Sequence, residues 1–342
     1  MIILCRRLKY RAEASELGEV GMGYEMHLSH YADLEIETAR KLLQYGLVPS
    51  ADEIRIHPHH SVLIRGKWFS HFVITCTHSQ QIFFLKVVKE QDNFLFCNHF
   101  LQDLSDTDVG YPWPKIVVSP FPFQGMQYYI TNYIKGQPLD TFPETMPQST
   151  WSYVADQLLL RINQMTLIKA PQYSEHGTFV LDNCATILKK KLASRMRHPL
   201  ISNYPHKRLE RAFDWACEIL EHSQFSQPTL IHMDIKPANI IYEPNTGVVA
   251  LIDFEFARFG DIDYGWTQIL LSGRNQFNPF YREQIVPHLT RDRINLDDAF
   301  AIPKLQCYLF YQAMCNLIYY DDHRLSCPKE MAEIFEFFIK QM

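Results

Sequence analysis

The sequence has no surplus of basic residues: 33 Lys and Arg stand against 38 Asp and Glu, a formal net charge of −5. That balance argues against a general nucleic-acid binder, whose electrostatic footprint is a basic patch or stripe. It also has no Cys-x-x-Cys pair. The eight cysteines (Cys5, Cys76, Cys97, Cys184, Cys217, Cys307, Cys315, Cys327) are scattered, so zinc or dithiol spacing is missing and reduced thiols in the cytoplasm are expected. No apolar run is long enough for a membrane span, which needs about 20 mostly apolar residues. The most apolar window, Ala299 to Tyr320, is broken by Pro303, Lys304, Gln306, Gln312 and Asn316. The opening segment turns charged at Arg6 and Arg7, too early for a secretory signal. Internal repeats and low-complexity tracts are absent. A soluble protein with neither membrane nor nucleic-acid partner is the expectation.

Core-forming material is plentiful. With 342 residues, 47% of them hydrophobic and 13% aromatic, the chain exceeds what one core usually supports, and two lobes are expected. Gly21-Met22-Gly23 suggests a flexible lead-in. Asp33–Tyr45 has helical patterning with Gly46 as its stop. Ser61–Arg65, Phe69–Thr77 and Gln81–Val88 are rich in Val, Ile and Phe and predict strands. A helix follows over about Asp92–Leu104, then strands at Lys115–Val118 and Gln127–Ile134. Lys135-Gly136-Gln137-Pro138 is a turn signal. Beyond it, Ser149–Met165, Asp182–Arg195 and Leu209–His222 carry helical periodicity, with Lys189–Lys191 as a solvated helix face. Thr229–His232, Asn239–Glu243 and Val248–Asp253 predict short strands, and helices resume to the C-terminus.

The most informative stretch is Leu230-Ile-His232-Met-Asp234-Ile-Lys236-Pro-Ala-Asn239, followed by Ile252-Asp253-Phe254-Glu-Phe-Ala257-Arg-Phe-Gly260-Asp261. Phosphoryl transfer asks little of a protein beyond positioning and charge neutralisation. One carboxylate orients the acceptor hydroxyl and takes its proton, while an amide oxygen and a second carboxylate hold magnesium, which prefers hard oxygen ligands. Asp234, Asn239 and Asp253 form such a donor set, with Asn239 five residues after Asp234 and Asp253 fourteen further, across an expected hairpin. Taken singly, Asp234 and Asp253 also fit turn or capping carboxylates.

This stretch resembles the aminoglycoside phosphotransferase and choline kinase group, small-molecule relatives of the protein kinases. Their signature is similar to His-x-Asp-x-x-x-x-Asn, then Ile-Asp-Phe-x-x-Ala-x-x-Gly-Asp. The resemblance implies an α+β, two-lobed protein-kinase-like fold. Residues 1–131 would form the nucleotide-binding lobe, an N-terminal helix plus a small antiparallel sheet. Residues 132–138 would be the hinge, and residues 139–342 the larger, mainly helical lobe with catalytic loop and acceptor site. It implies Asp234 as catalytic base, Asn239 and Asp253 as Mg2+ ligands, and His232 and Asp261 as braces of the loop. Lys86, one lysine inside the apolar strand Ile82–Val88, corresponds to the family's phosphate-binding lysine, although a water-facing edge lysine fits the pattern too. Backbone groups from Asn132 to Ile134 would pair with the purine. Lys236 reads either as a γ-phosphate contact, as in protein kinases, or as a solvent-facing loop lysine. The implied activity is transfer from ATP, or GTP, to a hydroxyl of a small polar molecule, with amine-bearing aminoglycosides, amino-alcohols and sugars as candidates, by a monomer or dimer.

The chain departs from the pattern in places. No Gly-x-Gly-x-x-Gly is present; Gly66 alone marks the first inter-strand turn, and Ser70 with backbone amides is the phosphate-contact candidate there. The usual glutamate partner of the strand lysine has no obvious counterpart; Asp103 or a residue of the N-terminal helix would substitute. Gly265 stands where the family carries a last acidic residue, with Asp263 nearby. A protein Ser/Thr kinase is the first rival, opposed by Met233, by Asp253-Phe-Glu255 and by the lack of Ala-Pro-Glu. An inactive nucleotide-binding pseudokinase acting through a protein partner is the second. Acidic positions (Glu255, Asp261–Asp263, Asp292, Asp297–Asp298, Asp321–Asp322) suit an amine-bearing acceptor or plain solvated faces. Tyr264, Trp266, Tyr308, Tyr311, Tyr319 and Tyr320 suit a cationic cage or core packing.

Overall fold

The computed structural model describes residues 28–49, 54–64, 67–88, 93–107, 112–142, 146–275, 281–290, 301–322, 327 and 329–341. Met1–Glu90 with Pro114–Tyr133 make up one compact unit, and Gln91–Trp113 with Ile134–Met342 the other.

The first unit is a five-stranded antiparallel sheet in the order β1-β2-β3-β5-β4, with strands β1 (Ile54–Ile64), β2 (Lys67–Cys76), β3 (Ile82–Val87), β4 (Ile116–Phe123) and β5 (Met126–Asn132). One face packs on helix α1 (Leu28–Gln44). The alternation Phe72, Ile74, Cys76 and Phe83, Leu85, Val87 turns apolar side chains toward Leu34, Ala39 and Leu42 of that helix, as a half-buried sheet demands. Each buried Leu, Ile or Phe contributes about 1.5–3 kcal/mol. Gly46 ends α1 as expected. At φ +67° it adopts the left-handed turn of a Schellman cap, with Gly46 N–H bonding the Leu43 carbonyl and Leu47 N–H the Leu42 carbonyl. Strand β1 begins well before the expected Ser61, and its register against β2 shifts between Pro58 and His60. Strand β4 runs on through Pro120 and Pro122, which the sheet edge tolerates. Gly21–Gly23 and Gly66 lie outside the described residues.

The second unit contains helix α2 (Phe94–Thr107), then β6 (Gln137–Pro138), α3 (Gln148–Leu167), a small hairpin β7–β8 (Ser174–Glu175, Thr178–Phe179), α4 (Cys184–Met196) and α5 (His206–His222). Strand β9 (Thr229–Ile231) follows, then the hairpin β10–β11 (Ile240–Glu243, Val248–Leu251), β12 (Arg258–Gly260) and helices α6 (Ile262–Asn275), α7 (Pro303–Asp322) and α8 (Lys329–Gln341). Helix α7 is apolar nearly all round and is buried accordingly; Phe310 stacks on Phe335 of α8 at 5.5 Å. Tyr264, Trp266, Tyr308 and Tyr311 are buried in this core. Gly136, at φ +131°, brings β6 against β10 so closely that a Cβ would sit 2.7 Å from Ile241 Cγ2 and 2.8 Å from the Tyr242 carbonyl oxygen. Among the described residues, no helix is long and apolar enough to cross a membrane.

Candidate active site

Strand β9 is three buried apolar residues paired antiparallel to β12, with Leu230 opposite Phe259. It delivers His232 into a buried position. His232 Nε2 lies 2.9 Å from the Ile252 carbonyl oxygen, and Nδ1 accepts from the Asp234 N–H at 3.2 Å. A carbonyl only accepts and an amide only donates, so the imidazole is neutral with its proton on Nε2. Burial pushes its pKa down against the opposing pull of Asp234 and the Ile252 carbonyl. The ring packs on Phe254 at 4.4 Å. His232 therefore clamps the loop to the end of β11.

Met233 turns the chain at φ 66°, a conformation uncommon for a long side chain. Asp234 follows, and its Oδ2 accepts from Asn239 Nδ2 at 2.8 Å and from Lys236 Nζ at 2.8 Å. Asn239 Nδ2 also reaches the Asp234 carbonyl at 2.9 Å, which fixes the amide and leaves its oxygen as the remaining polar atom. Burial works against the Lys236 ammonium, yet Asp234 and then Asp253 hold its pKa above the ordinary value. Lys236 is thus bound to the loop's carboxylate, with its side chain 37% exposed.

The hairpin closes the fourteen-residue gap. Ile240 pairs with Leu251, and Ile252 N–H bonds the Asn239 carbonyl at 3.0 Å, which sets Asn239 and Asp253 at neighbouring ends of the two strands. Asn239 lies in a 3-10 turn, Pro237–Asn239, instead of the strand expected for it. Asp253 has φ 66° and ψ 59°, a left-handed residue that redirects the chain into the turn Phe254–Phe256. Strained backbone of this kind persists where the surroundings over-determine it, often at functional sites. An amide oxygen and a carboxylate are the hard-oxygen ligands that suit magnesium.

Asp261 has a side chain fully shielded from solvent. Its Oδ2 accepts from the Ser226 N–H at 2.9 Å and its Oδ1 from the Asp263 N–H at 2.9 Å. Lys304 at the start of α7 lies 3.6 Å from Asp261 and 2.5 Å from Asp263. Burial raises the Asp261 pKa, with Lys304 the largest opposing influence. Sequence reasoning had no signal for Ser226 or Lys304, because neither belongs to a local pattern. At Gly265 a Cβ would lie 3.2 Å from Ile231 Cγ2, a tight contact with a side chain.

Other expected positions lie elsewhere. In the first unit, Lys86 is buried on β3 opposite Tyr129. Asn132 is bound to Lys115: its Oδ1 accepts from the Lys115 N–H at 2.6 Å and its own N–H bonds the Lys115 carbonyl at 3.0 Å. Glu35 of α1 is buried and accepts from the Ile56 N–H at 3.2 Å. Ile134 belongs to the second unit and is buried. The side chains of Ser70 and Asp103 lie outside the described residues, as do Asp292 and Asp297–Asp298. Tyr319 of α7, one of the aromatics read as a cationic cage or core packing, is half exposed and within electrostatic reach of Lys236.

A model of the APH phosphotransferase enzyme family matches residues 72–292. Among curated protein sequences, none matches. The structure is similar to aminoglycoside phosphotransferase APH(4)-Ia, with a TM-score of 0.64 and 13% identity over 90% of this chain and 98% of that one. It is also similar to a thermostable mutant of APH(4)-Ia in ternary complex with AMP-PNP and hygromycin B, at TM-score 0.60, 13% identity and 84% and 93% coverage. A third is the GDP and kanamycin complex of APH(2")-IIia, at TM-score 0.56, 15% identity and 89% and 98% coverage. At these identities the likeness establishes a kinase-like α+β fold. The family match is longer than half the chain and takes in Lys86, Asp234, Asn239 and Asp253, so the protein belongs to the APH phosphotransferase enzyme family and is a kinase-type enzyme that acts on an alcohol group.

Proposed function

We propose that the protein transfers the γ-phosphoryl group of ATP, or GTP, to a hydroxyl of a small polar molecule, with Asp234 as the base. One observation carries this: Asp234 Oδ2 is held at 2.8 Å by both Asn239 and Lys236, at the mouth of the hairpin that ends in Asp253. A carboxylate so fixed accepts the acceptor's hydroxyl proton as the new O–P bond forms and the bond to the β-phosphate oxygen breaks, leaving ADP or GDP. Lys236 is placed to carry charge from the Asp234 side toward the transferring group. Asn239, through its amide oxygen, and Asp253, through its carboxylate, are the residues that would hold Mg2+, which when bound neutralises phosphate charge. His232 and Asp261 position the loop and take no proton. To nucleotide binding we assign Lys86 and the backbone near Asn132 and Ile134, with Ser70 and Asp103 as further candidates, on the family resemblance. The cytoplasm is the compartment that suits the seven described cysteines, all of them free.

Thermal shift with ATP or GTP, with and without Mg2+, tests this on wild type and Asp253→Ala. A ligand at 100 times its Kd adds about 2.7 kcal/mol to the folded state. Magnesium-dependent stabilisation that Asp253→Ala abolishes supports the assignment. Stabilisation by neither nucleotide refutes it and favours a pseudokinase. Labelling of a protein substrate while no small alcohol changes ATP turnover would favour a protein kinase.

A further inference from the structure

The acidic positions that would suit an amine-bearing acceptor are largely spoken for. Asp261 and Asp263 share Lys304, and Glu255 is buried. The same helical unit instead gathers positive charge. Lys191 of α4 lies 2.7 Å from Glu175 of β7, and Arg258 of β12 lies 3.4 Å from that same carboxylate. All three side chains are less than a quarter exposed, so the lysine run 189–191 is solvated only in part. Lys189 pairs with Glu221 and Lys190 with Asp182, while Lys191 turns inward. One helical turn on, Arg195 lies within electrostatic reach of Tyr311 and Cys315, and among the described residues no carboxylate pairs with it. Two cations thus share one carboxylate in a largely buried setting, with the exposed Arg195 one helical turn away. Burial, and then Arg258, push Lys191 down to about 8, with Glu175 opposing. Surplus like charge out of water opposes folding unless a counter-charge offsets it, and clustered, perturbed ionisable groups mark sites.

The cluster is linked to the catalytic loop by two elements. Arg258 pairs with Ile231, the residue before His232. Helix α7 packs on α4 and α6 and presents Tyr311, Cys315 and Tyr319 at four-residue spacing, one face of a helix; Tyr319 is half exposed and acts on Lys236. From Cys315 or Tyr311 to Tyr319 is about 6–12 Å along the axis at 1.5 Å per residue, the length of one or two sugar rings.

We propose that this face of α7, with Lys191, Arg195 and Arg258, holds a negative group of the acceptor, so that the substrate is a hydroxylated small molecule bearing a carboxylate or phosphate. This rests on the phosphotransfer reading of Asp234 for the acceptor's fate, but the anion site itself is measured without turnover.

Calorimetric titration of the full chain, without nucleotide, uses gluconate and glucose 6-phosphate as carboxylate and phosphate probes, with glucose and glucosamine as neutral and cationic controls. At least one anion should bind tenfold or more tightly than glucose, with glucosamine no tighter than glucose, and the stronger anion tells carboxylate from phosphate. Arg195→Gln and Arg258→Gln should bring the anion to the level of glucose, and Arg195→Lys should restore part of the difference. Arg195 is largely exposed, so its variants are expected to fold, with circular dichroism as the check. Glucosamine binding best, no anion binding, or unchanged anion affinity in folded Arg195→Gln each overturn the proposal. Mg-ATP hydrolysis by wild type against Asp234→Asn is scored separately: its failure removes the phosphotransfer reading and leaves the anion result standing, and the reverse holds equally.

Discussion

Lys304→Met removes the cation that serves the buried Asp261 carboxylate while keeping most of the side chain's bulk. At 3.6 Å, the attraction is about 4–5 kcal/mol for an effective dielectric near 20. Relief of the lysine's own desolvation offsets part of it. Stripping one partner from a buried pair typically costs about 3–5 kcal/mol, whereas the arm to the more exposed Asp263 adds about 0.2–1 kcal/mol. A loss of about 3 kcal/mol is expected. It should depend on pH with a definite sign. Burial already holds the Asp261 pKa above its ordinary value, and without Lys304 it rises further. Between the unfolded and folded pKa, the folded chain binds a proton that the unfolded chain does not, so stability falls as pH rises through that window. In the variant the window extends upward, and its deficit should be largest near neutrality and shrink toward acid. Chemical denaturation at pH 7.5 and pH 5, closed into a double-mutant cycle with Asp261→Asn, measures both effects. A deficit under about 1 kcal/mol, or one indifferent to pH, would show that Ser226 and Asp263 N–H groups alone satisfy the carboxylate.

Asp234→Asn should lower kcat by about 10²–10⁴-fold with nucleotide affinity nearly unchanged; a parallel loss of affinity would make Asp234 a binding residue. Gly136→Ala forces a Cβ to 2.7 Å from Ile241, and overpacking alone costs about 1–3 kcal/mol, read as a lower denaturation midpoint. A neutral effect would mean that β6 can lift off β10. Lys191, at about 8 when folded and about 10.4 unfolded, is the one whose proton the unfolded chain retains between those values. Its contribution to stability therefore grows as pH climbs through them. Wild type should gain stability relative to Lys191→Met from pH 7.5 to pH 9.5, and a relative loss would refute the assignment.

Local chemistry was legible in the chain. Strand alternation at Phe72–Cys76 and Phe83–Val87, the stop at Gly46 and the turn at Gly136 follow from steric rules that act over a few residues. The beginning of β1 escaped because Pro58 and neighbouring histidines interrupt its apolar pattern, and backbone pairing with β2 decided it instead. Lys191 escaped because three consecutive lysines look alike until a helix is oriented; packing of α4 against β7 turned one of them inward.

The sequence alone singled out Asp234, Asn239 and Asp253 for the proposed donor set, because their spacing and residue types are those that a phosphoryl-transfer loop requires. It also determined that two compact units would form, since the chain carries more apolar material than one core holds. Only tertiary structure decided that His232 is a neutral clamp, for its tautomer depends on the Ile252 carbonyl twenty residues away. Tertiary packing also decided that Asp261 answers to Lys304 and that Lys191 and Arg258 share Glu175. Those outcomes depend on distance and burial between segments far apart in the chain, and electrostatic energy there is set by the surroundings more than by the residue itself.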